Sequence, residues 1–128
     1  MTYLLDTHTF LWFLESPSLL PLRTRELIEN SALELAVSLV TPWEIAIKSA
    51  TGKLDAEAIL DDFDAIVERA RLTLLVPTVA QVIRSGRLPA HHRDPFDRLL
   101  AAQAMEPGWT LLSKDAVFDA YGVRRLWA

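Results

Sequence analysis

Four acidic residues stand where a short apolar run ends or a helix begins, and carboxylates gathered from such places can hold a metal ion. Asp6 ends the run Tyr3-Leu4-Leu5. Glu44 lies in Thr41-Pro42-Trp43-Glu44, Asp97 in Asp94-Pro95-Phe96-Asp97, and Asp115 in Leu112-Ser113-Lys114-Asp115. Each also has an ordinary structural explanation. Thr41 can be an N-cap, Pro42 the first helical residue and Glu44 the third-position partner of a capping box. Asp94 can cap the next such helix, with Pro95 first and Asp97 third, where the helix dipole favours a carboxylate. Asp6 and Asp115 can each cap a following helix. For Asp94 the cap is the better reading; for the other four, cap and site both stay open one residue at a time.

The joint placement is what caps leave unexplained. Serine, asparagine and threonine cap as well as aspartate, yet an acid appears each time. Four converging carboxylates repel one another unless protonated or neutralised by a cation. With oxygen donors only, that cation is a hard one, magnesium or manganese before zinc. Such a cluster suits phosphoryl chemistry, since it can stabilise attacking and leaving oxygens and lower the pKa of a bound water.

The elements that must position these acids follow from the apolar pattern. Short runs predict strands at Tyr3–Leu5, Leu35–Leu39, Thr73–Val76, Thr110–Leu112 and Val123–Leu126. Helical periodicity predicts helices near His8–Leu14, Leu22–Asn30, Pro42–Ala50, Ala56–Ala70, Val79–Ser85 and Phe96–Met105. The clearest is Ala56–Ala70, with Ile59, Phe63, Ile66 or Val67, and Ala70 on one face and an acidic, solvated face opposite. All four glycines, Gly52, Gly86, Gly108 and Gly122, follow a helical stretch as helix stops should. The alternation predicts a three-layer α/β/α sandwich around a mainly parallel, about five-stranded sheet, in which ligands bind at the carboxyl ends of the strands.

With 128 residues, 51% hydrophobic and 23% charged, the chain is expected to fold as one domain spanning residues 1–128. No apolar run is long enough for a membrane span. Asp6 interrupts the apolar start, which argues against a signal peptide. The absence of cysteine excludes disulfides and thiolate zinc sites and suits a cytoplasmic protein. The net charge of −4 mildly opposes a nucleic-acid partner. Setting the four candidate ligands aside leaves acids and bases equal at 13 each, so charge does not decide the question.

In these motifs the chain resembles the PIN-domain family, most closely its VapC-type toxins of bacterial toxin–antitoxin pairs. The resemblance rests on Tyr3 to His8, on Thr41-Pro42-Trp43-Glu44-Ile45-Ala46-Ile47-Lys48, on Asp94 to Ala104 and on Ser113-Lys114-Asp115, in that order. It implies a magnesium- or manganese-dependent endoribonuclease. Asp6, Glu44 and Asp97 would hold the main metal, with Asp115 assisting or binding a second one. A metal-activated water would cut the phosphodiester in line, leaving a 5′-phosphate and a 3′-hydroxyl. Thr7 and Ser113 would be hydrogen-bonding neighbours of the site. It also implies a homodimer, and an antitoxin protein whose tail lies along a hydrophobic groove near the active site. Phe10, Trp12, Phe13 and Trp43 are candidates to line that groove. Phe10 and Phe13 are better read as core, leaving Trp12 and Trp43.

RNA contact needs cations, and Arg84, Arg87, Arg93 and Arg98, with His91 and His92, cluster around the third acidic block. A solvated loop explains them equally well, and two adjacent histidines without further ligands do not make a zinc site. Rival readings are a phosphatase with an aspartyl nucleophile, a non-catalytic binding module and a DNA nuclease. The first lacks a second acid two residues after Asp6, where His8 stands. The full acid set speaks against the second. RNA over DNA comes from the resemblance alone.

Overall fold

The structure, a computed structural model, describes residues 2–128. Five strands form one sheet: β1 (Thr2–Leu5), β2 (Glu34–Ser38), β3 (Thr73–Leu75), β4 (Trp109–Leu112) and β5 (Arg125–Leu126). Their order is β3-β2-β1-β4-β5 and every pairing is parallel. β1 is central, with Leu5 level with Val37 of β2 on one side and Leu112 of β4 on the other. The chain builds outward from β1 to β3, then returns to β1 and builds outward the other way. Such a reversal opens a crevice at the carboxyl edge of a parallel sheet.

Among the described residues seven α-helices surround it: α1 (Thr7–Glu15), α2 (Leu22–Glu29), α3 (Val40–Ala50), α4 (Glu57–Asp61), α5 (Phe63–Arg69), α6 (Val79–Arg87) and α7 (Pro95–Ala104). Alternate strand residues face opposite cores, as the period of two requires. Leu5, Leu35, Val37 and Leu112 pack with Phe10, Ile28, Ile45, Ile59 and Phe63 from α1 to α5. Leu4, Ala36 and Leu111 pack with Leu100, Ala101 and Ala104 of α7 and with Phe118 and Tyr121 of the 3₁₀ helix Ala116–Tyr121. The expected α/β/α sandwich is therefore present, its sheet wholly rather than mainly parallel. Among the described residues no helix is long and apolar enough to cross a membrane.

Three expectations need correction. The single helix Ala56–Ala70 is two, broken at Asp62 (φ −112°, ψ 18°). Asp61 and Asp62, poor residues for a helix interior, sit at the junction. Ile59 and Phe63 still reach the same core, so the apolar period runs through the break. Gly86 is no helix stop, because α6 continues to Arg87. Gly52, Gly108 and Gly122 do take the left-handed backbone that favours glycine. Finally, α3 begins at Val40, two residues before Pro42, because the Ser38 hydroxyl accepts from the Val40 N–H (3.0 Å) and starts the turn earlier. Pro42 remains in the first turn, where its missing N–H costs nothing.

Candidate active site

The earlier start of α3 removes Glu44 from the capping position. It lies in the second turn, buried, with its carboxylate engaged elsewhere. The Thr7 hydroxyl donates to Glu44 Oε1 (2.7 Å), and the Lys48 ammonium pairs with Oε2 from one turn on. Thr41, expected as the cap, is buried beside Thr7 with their hydroxyls 3.2 Å apart. Burial pulls the Lys48 ammonium down, but the bond to Glu44 and the charges of Glu44, Asp94 and Asp97 outweigh it and raise its pKa.

For Asp6 and Asp115, cap and site are not alternatives, because a carboxylate has two oxygens. Asp6 Oδ1 accepts from the Thr9 N–H at 2.8 Å and caps α1. Its carboxylate is also bonded by the Ser113 hydroxyl at the end of β4. Asp115 Oδ1 caps the 3₁₀ helix through the Val117 N–H (3.0 Å), while Oδ2 lies 3.0 Å from His92 Nε2. Ser113 Oγ in turn accepts from the Asp115 N–H (3.0 Å), so the two acids are tied through one hydroxyl.

Asp94 caps α7 by accepting from the Phe96 N–H (2.8 Å). Asp97, on the first turn, does not reach back to the cap. Its Oδ2 lies 2.9 Å from His92 Nε2. The ligand-capable atoms of His92, Asp97 and Asp115 all lie within 4.8 Å of one another. The Asp94 N–H donates to His92 Nδ1 (3.3 Å), so Nε2 is the nitrogen that carries the proton toward both carboxylates.

The acids sense one another. Burial first, then the charge of Asp94, and further those of Glu44 and Asp6, push the Asp97 carboxyl up to about 7 against the pull of His92. Burial also raises Asp6, opposed by its bonds from Ser113 and Thr9 and by His8. Asp6 follows β1, Glu44 lies on α3 after β2, Asp97 opens α7 and Asp115 follows β4. The charges of Asp6 and Glu44 reach Asp97, while the ligand atoms close enough to share one ion are those of His92, Asp97 and Asp115.

The sequence-based pattern that defines the PIN domain matches residues 3–123. The chain belongs to the PIN-domain family. It is 34% identical over 116 residues to "Ribonuclease VapC22" of Mycobacterium tuberculosis, covering 89% of this chain and 87% of that protein. The PIN fold here also resembles DNA-bound VapBC from Salmonella typhimurium, at a TM-score of 0.72 and 22% identity, covering 98% of this chain and 97% of that one. VapBC2 from Rickettsia felis, bound to a promoter DNA fragment, aligns with a TM-score of 0.71 at 17% identity over 100% of both chains.

Other residues fall differently from expectation. Trp12 and Trp43 line separate clefts. Trp12 shares one of about 290 Å³ with Asp6, His8, Lys114 and Asp115. Trp43, half exposed, shares an apolar one of about 300 Å³ with Leu39, Val40, Val76, Val82 and Leu99. Phe10 is fully buried and Phe13 packs on the core, as read. Arg84, Arg87 and Arg93 are exposed. Arg98 is engaged within the protein: its guanidinium donates to the carbonyls of Leu88 (2.8 Å), Pro89 (3.2 Å) and His92 (3.2 Å). The Tyr121 hydroxyl donates to Pro89 O (2.8 Å) and accepts from the His92 N–H (2.9 Å). Arg98 and Tyr121 together fix the loop that carries His92. Sequence reasoning gave Tyr121 no role, read Arg98 as an RNA contact and left Lys48 unremarked. The spacing of Glu44 and Lys48, four apart on a helix, was the usable signal for that pair.

Proposed function

We propose that this chain is a metal-dependent endoribonuclease and the toxin of a toxin–antitoxin pair, built as a single domain. The observation that carries this is the cluster of Asp97 and Asp115 with His92, in which the charges of Glu44 and Asp6 also act on Asp97 and its carboxyl is raised to about 7. Burial is the largest cause of that rise, and the like charges of Asp94, Glu44 and Asp6 add to it against His92, so negative charge gathers here that the protein's own cations do not neutralise. The ribonuclease name of the 34%-identical relative supports the substrate class. The likeness to VapBC complexes supports an antitoxin partner.

The donor set fits a hard divalent ion, magnesium or manganese, since oxygens dominate it. Asp6, Glu44 and Asp97 would hold the ion, with Asp115 completing the site. Such an ion, when bound, lowers the pKa of a water and stabilises charge developing on the phosphodiester oxygens. The chain's own groups prepare that place. Thr7 and Lys48 fix the Glu44 carboxylate, and Ser113 fixes Asp6. His92 directs an N–H between Asp97 and Asp115, holding the two side by side. The exposed Arg84, Arg87 and Arg93 would meet RNA phosphates, whereas Arg98 serves the loop.

The apolar cleft around Trp43 is our candidate antitoxin groove. The Trp43 ring meets Phe96 edge-on, 4.6 Å between centroids. Each of these aromatics immediately precedes a site acid, Glu44 and Asp97, so a peptide in this groove would lie against both ligand-bearing helices. A second copy of the chain is the other partner that the resemblance brings. Localisation in the cytoplasm follows the same reading.

Asp6→Asn tests the proposal cleanly. Asparagine caps a helix as well as aspartate, so the fold should persist while metal-dependent RNA cleavage disappears. Undiminished cleavage by a sequence-verified, folded Asp6→Asn protein would refute the metal-site argument. Steady release of phosphate from a small phosphomonoester without RNA cleavage would favour the phosphatase rival.

A further inference from the structure

The cleft beside the acids has a lining of mixed chemistry: the carboxylates of Asp6 and Asp115, the rings of His8 and Trp12, and Lys114. His8 and Trp12 stand one turn apart on α1, ring centroids 5.7 Å apart and planes tilted by 45°. Behind them Trp127 packs on Trp12 at 5.9 Å, so the indole is held in place from within the fold. Trp12 is nonetheless only partly buried, and His8 is exposed. Lys114 is exposed, with no hydrogen bond or ion pair among the described residues. The cleft thus joins an ordered aromatic wall, an unengaged ammonium and two site carboxylates in about 290 Å³.

We propose that this cleft is the subsite for the nucleotide next to the scissile phosphate, its base stacking on the His8–Trp12 wall and its outer phosphate meeting Lys114. The inference rests on the nuclease reading and deepens it by naming the form of substrate. A base can enter the cleft only after leaving its helical stack, so the substrate is an unpaired segment of RNA. Stacking on an aromatic side chain is tolerant of base identity. This subsite therefore selects single strands rather than a particular sequence. A preordered ring suits the task, because little side-chain entropy remains to be lost on binding.

The test measures binding rather than turnover. A short fluorescein-labelled single-stranded RNA of mixed sequence is titrated, with magnesium present, into the Asp6→Asn protein, and its anisotropy is followed. Adding Trp12→Ala should weaken binding about tenfold or more, and Trp12→Phe should recover most of that loss. Lys114→Ala, an exposed change that spares the core, should weaken binding and flatten its salt dependence. Annealing the RNA to its complement should weaken binding and abolish the effect of Trp12→Ala. Single-strand binding unchanged by Trp12→Ala and by Lys114→Ala overturns the subsite. So does an effect of Trp12→Ala confined to inhibition by the antitoxin, which would give the cleft to a protein partner. Failure of the nuclease reading registers separately, as wild-type protein that cuts no RNA with magnesium or manganese while binding still depends on Trp12.

Discussion

Raising the pH of metal-free protein should cost it stability, and a divalent cation should restore that stability only where the acids are ionised. The Asp97 carboxyl is raised from 3.8 to about 7 by burial, Asp94, Glu44 and Asp6, against His92. Its side chain is 23% exposed, so solvent screening does not dominate. Between these two pKa values the folded protein keeps a proton that the unfolded chain has released. The resulting stabilisation is complete below 3.8, falls progressively as pH rises and is gone above about 7. A shift of about three units corresponds to roughly 4 kcal/mol between the extremes. Asp6, also raised by burial, acts in the same direction.

Thermal melts in EDTA at about pH 5 and pH 8 sample about two units of that window, roughly 3 kcal/mol or about 10 °C in Tm. Asp97→Asn removes the titrating group and should flatten this part of the profile. It should melt above wild type at about pH 8, where it no longer carries the buried charge. Magnesium at about a hundred times its Kd should add about 2.7 kcal/mol to wild type at the higher pH. At about pH 5 it must displace a proton and should add far less. Identical EDTA profiles for wild type and Asp97→Asn would show that the acids are not coupled as the geometry requires. Equal magnesium stabilisation of the two proteins would show that Asp97 is not a ligand.

Glu44→Gln should abolish metal-dependent cleavage and cost about 1–2 kcal/mol in urea unfolding, because the amide keeps the Thr7 bond but loses the Lys48 ion pair; wild-type cleavage by this variant would return Glu44 to a structural role. Arg98→Ala should cost about 2–3 kcal/mol by freeing three carbonyls of the His92 loop, whereas Arg84→Ala and Arg87→Ala should melt within about 0.5 kcal/mol of wild type and raise KM for RNA in a salt-dependent way. Trp43→Ser should leave melting almost unchanged and weaken capture of the protein encoded by the neighbouring gene, measured by calorimetry; undiminished capture would remove the apolar cleft as its groove.

The strands were legible because each is an apolar run too short for a helix. Four of the five expected strands matched within a residue at each end, while β5 was two residues shorter than Val123–Leu126. The strand order was not legible, since it depends on pairings between segments far apart in the chain. Glu44 misled through its neighbours: Thr41-Pro42 has the grammar of a helix start, but Ser38 had already begun the turn. The four candidate acids stood out in the sequence because caps alone did not require acids four times over. His92 was missed as a site neighbour because its position is set by distant groups, Arg98 on α7 and Tyr121 in the 3₁₀ helix. No local pattern around His91 and His92 distinguishes the exposed ring from the one turned inward.

On the metal-site reading, Asp97 is, with Asp6, a place where proton and metal would compete, and the His92 loop sets what donors it has. Glu44 has a lysine and a threonine hydroxyl to itself. Asp6 has the Thr9 N–H and the Ser113 hydroxyl, and Asp115 has the Val117 N–H besides its share of His92. Among the described residues, Asp97 has the shared His92 N–H and no other donor. Each of those three acids has a donor of its own, whereas the fourth shares one and lies among like charges. Burial first, and then these like charges, raise its carboxyl to about 7, within reach of ordinary pH. An ion that neutralises Asp97 relieves the repulsion felt by the whole cluster, so its affinity should depend on this residue more steeply than on Asp115. Comparing the loss of magnesium affinity in Asp97→Asn and Asp115→Asn by calorimetry decides the order; a larger loss in Asp115→Asn would place the strongest demand for a cation at the β4 exit instead of on α7.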